Sequence, residues 1–160
     1  MKQLAGTLAT IGSGLAFATL AACGGGGSDP DSPEYQAFMQ RDALMGDLGE
    51  AILVLNEMST EEIPVDEAAF LAAARTIADR APALIDGFEN QTIVPESRAR
   101  PEIFANWDDF TAKNAALVTA ANALVEATSS GGFAAGRGIV SQVRDSCGAC
   151  HRPYRAPEQE

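Results

Sequence analysis

The sequence predicts an all-α chain folded as an antiparallel four-helix bundle. Three observations carry this. Apolar residues recur at alternating spacings of 3 and 4 along four stretches, the rhythm that keeps one side of a helix on a shared core. No alternating strand pattern of useful length occurs anywhere. Short turns and one long connection separate the four stretches, which suits antiparallel neighbours.

Residues 1–22 stand apart from that pattern. Lys2 is their only charge, and an apolar run from Leu4 to Leu20 follows, broken by Gly6, Gly12 and Gly14. This reads as a secretory signal peptide. It is too short and glycine-interrupted for a membrane-spanning helix. The run ends in Leu20-Ala21-Ala22-Cys23, which resembles a bacterial lipobox. That resemblance implies cleavage before Cys23 and lipidation of its thiol; ordinary cleavage with a free Cys23 is the alternative. Gly24 rather than Asp after the cysteine leans toward the outer membrane. Residues 23–32 then read as a lipidated cysteine and a flexible tether, since four successive glycines are costly to order. Residues 33–160 form the folded domain, long enough to bury a real core. Without Lys2 the chain keeps 10 basic and 22 acidic residues, a formal charge of −12. Such a surface argues against nucleic acid as a partner.

The first helix is expected from Ser32-Pro33-Glu34, an N-cap serine, a proline at the first helical position and an acid in the first turn. Its seam is Phe38, Arg41, Met45, Leu48, Ile52 and Leu55, and Arg41 is its one charged member. The second starts near Asp66, with Phe70, Ala74, Ile77, Ala81 and Leu84 on its seam. Pro82 is expected to kink or shorten its end. A long connection from Gly87 to Arg100 follows. The third opens at Pro101, its seam holding Ile103, Trp107, Phe110, Asn114, Leu117, Ala121 and Leu124, and it ends by the Ser129-Ser130-Gly131-Gly132 turn. The fourth carries Phe133, Val140, Val143, Cys147, Cys150 and Tyr154.

The last helix holds the chemistry. Cys147-Gly148-Ala149-Cys150-His151 sets two thiols at i, i+3 with an imidazole beside the second. Cys-x-x-Cys-His is the attachment pattern of a c-type haem, with thioethers through the thiols and the imidazole as the proximal iron ligand. A disulfide, a redox dithiol or half a zinc site are the alternatives. Zinc would need two more ligands, and His151 is the sole histidine with no second cysteine pair. A redox dithiol would be expected after a strand, and none precedes this one. Because both thiols lie on the core-facing seam, the haem is expected in the bundle core near the C-terminal helix.

With these residues in place, the chain resembles the class II c-type cytochromes, the cytochrome c prime family. The resemblance covers about residues 33–155. It rests on Arg41-Asp-Ala-Leu-Met45-Gly-Asp-Leu-Gly49, on Ser97-Arg-Ala-Arg-Pro101-Glu-Ile103 leading into Trp107 and Phe110, on Phe133 to Val143, and on Cys147 to Arg155. It implies a four-helix bundle with one covalent haem c. Pro153 departs from the pattern and puts helical structure beyond His151 in doubt.

The resemblance also assigns expected roles. Members with a non-ligating residue at the first-helix position keep a five-coordinate iron that binds small gases such as nitric oxide or carbon monoxide. Members with Met there resemble low-spin electron carriers, and this chain has Met45, which implies a Met/His pair on the iron. Simple core packing by Met45 is the other reading. Met39 and Met58 fit worse, one off the seam and the other about 20 Å further along the helix. Arg41 is implied to face a haem propionate, or else to reach the bundle end and pair with Glu34. Arg155 is implied to lie beside the proximal ligand; a solvated terminal charge is its alternative. Trp107 and Phe110 are expected to line the core near the haem. A peroxidase would want an open iron with distal acid–base groups, so the chain is expected not to be an enzyme. The expected function is single-electron transport by a periplasm-facing lipoprotein, with periplasmic redox proteins as partners, a membrane contact through Cys23 and a possible homodimer.

Overall fold

The computed structural model describes residues 27–158. The expected signal peptide and the lipidation site Cys23 lie outside the described residues.

Helix α1 spans Pro33–Ser59. Ser32 caps it, its Oγ accepting from the Tyr35 amide at 3.2 Å, a contact of the kind that contributes about 1 kcal/mol. The chain just ahead is more ordered than a tether reaching Ser32 implies. Ser28 donates to both carboxylate oxygens of Glu96, from its amide at 2.7 Å and its hydroxyl at 2.9 Å. The Gln36 side chain donates to the Pro30 carbonyl at 2.6 Å, and the Ser32 amide to the Asp29 carbonyl at 3.0 Å. Residues 28–32 of the expected tether thus contact the folded domain.

Helix α2 spans Glu67–Arg80. Asp66 caps it by accepting from the amides of Ala68 and Ala69. It stops one residue before Ala81, and Ala81–Leu84 continues as a 3₁₀ turn around Pro82, because proline lacks the N–H that an α-helical turn would use. A second 3₁₀ turn covers Asp86–Phe88.

The expected third helix does not run unbroken from Pro101. A single helical turn, Glu102–Ala105, ends at Asn106, whose φ −128°, ψ 45° is non-helical. The Asn106 side chain donates back to the Glu102 carbonyl at 2.9 Å, the local competition with helix that short polar side chains offer. The long helix begins afterwards, in the span Trp107–Tyr154. That span is itself two helices, because Gly132 inside it has φ 68°, ψ −165°, a backbone that residues with a Cβ rarely adopt. We call residues 107–131 α3 and residues 133–154 α4.

The four helices pack around Leu55, Phe70, Ile77, Leu124 and Val143, each at most 1% exposed. Burying such side chains contributes about 1.5–3 kcal/mol apiece. The α3–α4 turn closes tightly. A Cβ on Gly136 would lie 2.1 Å from the Thr128 hydroxyl oxygen and 2.9 Å from a Phe70 ring carbon, so only glycine fits there. Phe70 and Phe133 meet edge to face with centroids 5.0 Å apart.

At the other end, Pro153 does not unwind α4, which continues to Tyr154. Contacts from outside the helix hold the turn. Ala99 and Arg155 form an isolated antiparallel bridge, the only sheet-like pairing among the described residues. The Arg100 amide donates to the Tyr154 carbonyl at 3.0 Å, and the Ala156 amide to the Arg98 carbonyl at 2.7 Å. The Tyr154 hydroxyl donates to Asp109 at 2.5 Å. Among the described residues no helix is long and apolar enough to cross a membrane.

Candidate haem-attachment site

The antiparallel order brings the start of α1, the 3₁₀ turns after α2, the start of α3 and the end of α4 to one end of the bundle. The site residues lie there. Cys147, Cys150 and His151 are all half-buried, and neither thiol is joined to the other. The two sulfurs belong to different packing clusters. Cys147 packs against the main core, as do Met45 and Leu48 of α1. Cys150 packs against a second cluster of Phe88, Ile103, Phe110 and Tyr154, which Trp107 also joins. Phe110 is the hub of that cluster, with Phe88, Tyr154 and Trp107 rings at 5.1, 5.5 and 5.7 Å. The expectation for Trp107 and Phe110 as lining residues thus has a geometric counterpart at Cys150.

Arg41 is 4% exposed. Its Nη1 donates to the Gly87 carbonyl at 2.8 Å, and its guanidinium lies 5.0 Å from the centroid of the Phe88 ring. A Cβ at position 87 would come within 2.9 Å of the Arg41 Cγ, so glycine there makes room for the side chain. Arg41 does not pair with Glu34, and its Nη2 is buried without a partner. Leaving such a donor unpaired costs about 1–3 kcal/mol, more when it is charged. Burial lowers the Arg41 pKa for the same reason. The buried Asn114 Oδ1, on α3 one turn beyond Phe110, also lacks a partner.

The electrostatics favour neutral groups at the motif. Burial raises the pKa of Cys147. Burial pushes Cys150 up to about 11, with Cys147 and Asp109 adding to the rise and Lys113 opposing it. A dithiol redox centre has the opposite character, a thiolate stabilised at neutral pH. Burial, aided by the charges of Arg155 and Arg98, lowers the His151 pKa. A neutral imidazole offers its lone pair to a metal. No cluster of three or more His, Cys, Asp or Glu suited to a metal ion occurs among the described residues.

Arg155 is exposed, beyond the helix end and outside both clusters. Its charge still reaches His151, while its backbone holds Ala99. Arg98, Gly87 and Phe88 are site neighbours that the sequence did not single out. They come from the long connection, where no periodicity marks an inward-facing residue.

These features fit a covalent haem. Two free thiols and a neutral imidazole flank aromatic walls, and a buried guanidinium keeps an unpartnered N–H for an acidic substituent.

Comparison with known proteins agrees. A family model described as Cytochrome C' matches residues 36–155. Cytochrome c-556 from Agrobacterium fabrum (strain C58 / ATCC 33970) is 36% identical over 118 residues, covering 72% of this chain and 78% of that protein. The solved cytochrome c prime from Shewanella frigidimarina superposes with a TM-score of 0.73 at 23% identity, over 78% of this chain and 97% of that one. A cytochrome c' described as having ligand-controlled dimer dissociation superposes with a TM-score of 0.70 at 27% identity, over 79% and 98%. With the bundle, the motif and the family match in agreement, the chain belongs to the cytochrome c prime family and is a monohaem c-type cytochrome whose one haem c is covalently attached.

Proposed function

We propose that this cytochrome is a periplasmic, lipid-anchored carrier of single electrons, and that it is not an enzyme. One observation carries the reading: Met45, on the interior side of α1, packs into the same core cluster as Cys147. The haem supplies a one-electron iron couple. Cys147 and Cys150 hold it by thioethers, and His151 presents its imidazole from the adjoining turn. Met45 would present a thioether to it from the facing helix, where it would exclude outside ligands and favour the ferrous state. Arg41 offers its unpaired Nη2 to a propionate. Trp107 and Phe110 exclude water beside Cys150. His151 is the sole histidine, so a distal histidine of the peroxidase kind is not available.

Cys23 carries the lipid in this reading, and its partners are periplasmic redox proteins. A homodimer is supported by the relative whose description names dimer dissociation.

The visible spectrum of Met45→Leu tests the central claim. The swap nearly conserves volume and costs under about 1.5 kcal/mol, so fold and haem are retained. The iron should pass from low-spin to high-spin and bind carbon monoxide rapidly. An unchanged spectrum would make Met45 a packing residue. A wild-type protein that is itself high-spin would establish the five-coordinate, gas-binding alternative.

A further inference from the structure

The start of the described chain and the haem motif lie at the same end of the bundle. Ser28 is held to Glu96 through two hydrogen bonds. Two residues further on, Arg98 holds Ala156, with its Nε donating to the Ala156 carbonyl at 3.0 Å and its own carbonyl accepting from the Ala156 amide at 2.7 Å. Ala156 lies five residues past His151. The far end is marked by the Arg137–Glu61 ion pair at 2.9 Å and by Gly132.

Distances decide what this means for an anchored chain. Five residue steps separate Cys23 from Ser28 and span at most roughly 18 Å. Helix α1, 27 residues long, spreads the two ends about 40 Å apart. Even with Ser28 released, the ten steps from Cys23 to Pro33 span at most roughly 36 Å. The bundle cannot stand upright on its far end over a membrane that holds residue 23, and with Ser28 held that end cannot approach it at all.

We infer that the haem-bearing end of the bundle faces the lipid headgroups, held there by the clamp between Ser28 and Glu96. This rests on the lipid anchor at Cys23 proposed above. Charge does not set the orientation. Residues 28–34, 85–104 and 152–158 carry eight acids and four arginines, and residues 57–67 and 129–137 five acids and one arginine, so both ends are net acidic to the same extent and the arrangement should survive high salt.

The test uses the full-length, haem-loaded lipoprotein reconstituted in phosphatidylethanolamine–phosphatidylglycerol vesicles that carry a photoreactive headgroup. Crosslinked peptides are mapped by mass spectrometry, and the intact mass reports the acyl chains. Crosslinks should concentrate in residues 28–34, 85–104 and 152–158, severalfold over residues 57–67 and 129–137, at low and at high salt. Glu96→Ala should widen labelling onto the exposed side of α1. Equal or reversed labelling of the two ends in acylated protein overturns the orientation and leaves the anchor standing. Unchanged labelling in Glu96→Ala overturns the clamp. A protein without acyl mass that stays off the vesicles overturns the anchor, and the orientation with it.

Discussion

The two ends of this bundle are built differently. At the far end the protein completes itself. Gly136 lies against Thr128 and Phe70 with no room for a methyl group, and Phe133 caps Phe70 edge to face. At the haem end the protein stops short of completion. Two half-buried thiols face different clusters, and Arg41 Nη2 and Asn114 Oδ1 are buried without partners. A close-packed interior tolerates neither voids nor orphaned polar atoms. The second end is therefore a socket whose missing piece is the cofactor.

The strongest way to break this contrast is to withhold the haem. Cys147→Ala with Cys150→Ala should yield a protein without covalent haem in which only one end loosens. Hydrogen exchange should accelerate at residues 98–106 and 147–156 and stay slow at 70–77 and 117–128. Uniform acceleration would show that the ends are not separate units.

Gly136→Ala reverses the experiment. The added methyl collides with Thr128 and Phe70, and overpacking of this kind costs about 1–3 kcal/mol. Urea unfolding should register that loss, while the haem spectrum stays that of wild type.

Arg41→Leu probes the socket alone. With Arg41 beside a propionate, as proposed, losing its charge should lower the reduction potential by tens of millivolts, where about 59 mV corresponds to a tenfold change in a one-electron equilibrium. Potentiometric titration reads this, and an unchanged potential would place the guanidinium away from the haem.

The smallest effect is expected from Tyr154→Phe, which removes the bond to Asp109 and should cost about 1 kcal/mol. Its pH dependence sharpens the point. Lys113 and then Tyr154 hold the Asp109 carboxyl below its ordinary range, so that contribution is present at neutral pH and fades as pH falls through the depressed value. The bond to Asp109, with burial, raises Tyr154 to about 12. Its contribution is full below the ordinary phenol value of about 10 and is lost as pH rises through about 12. The stability difference between wild type and Tyr154→Phe should be flat between these limits and shrink outside them, as read by chemical unfolding across pH.

What was legible in the sequence is what local rules govern. Asp66 caps α2, Pro82 ends it and the glycine pair turns α3 into α4, each acting through its own backbone or its neighbours' amides. Periodicity identified Phe70, Ile77, Phe110, Leu124 and Val143 as inward-facing. The break at Asn106 was overlooked, though an Asn followed by Trp107-Asp108-Asp109 carries the signature of a helix start. Pro153 misled for the opposite reason. Its local rule is sound, but Arg100, Ala99 and Asp109 hold the turn from about 45–56 residues away in the chain, and no local pattern reports that. Arg98, Gly87 and Phe88 were hidden likewise, inside a connection without period. Within the site, Cys147, Cys150 and His151 were readable from spacing alone, whereas the unpartnered N–H of Arg41 is a property of packing.

The high pKa of Cys150, about 11 in the folded chain, has a consequence for the order of events in biogenesis. Thiols react as thiolates, and the folded pocket disfavours that form at both cysteines. The motif is also the last part of the bundle to leave a ribosome or a translocon, after Arg98, Arg100 and Asp109 are already free to receive it. Docking of the last turn thus competes with cofactor attachment for the same short segment. Haem attachment is therefore easier while residues 147–151 are undocked, and early seating of this turn should slow it.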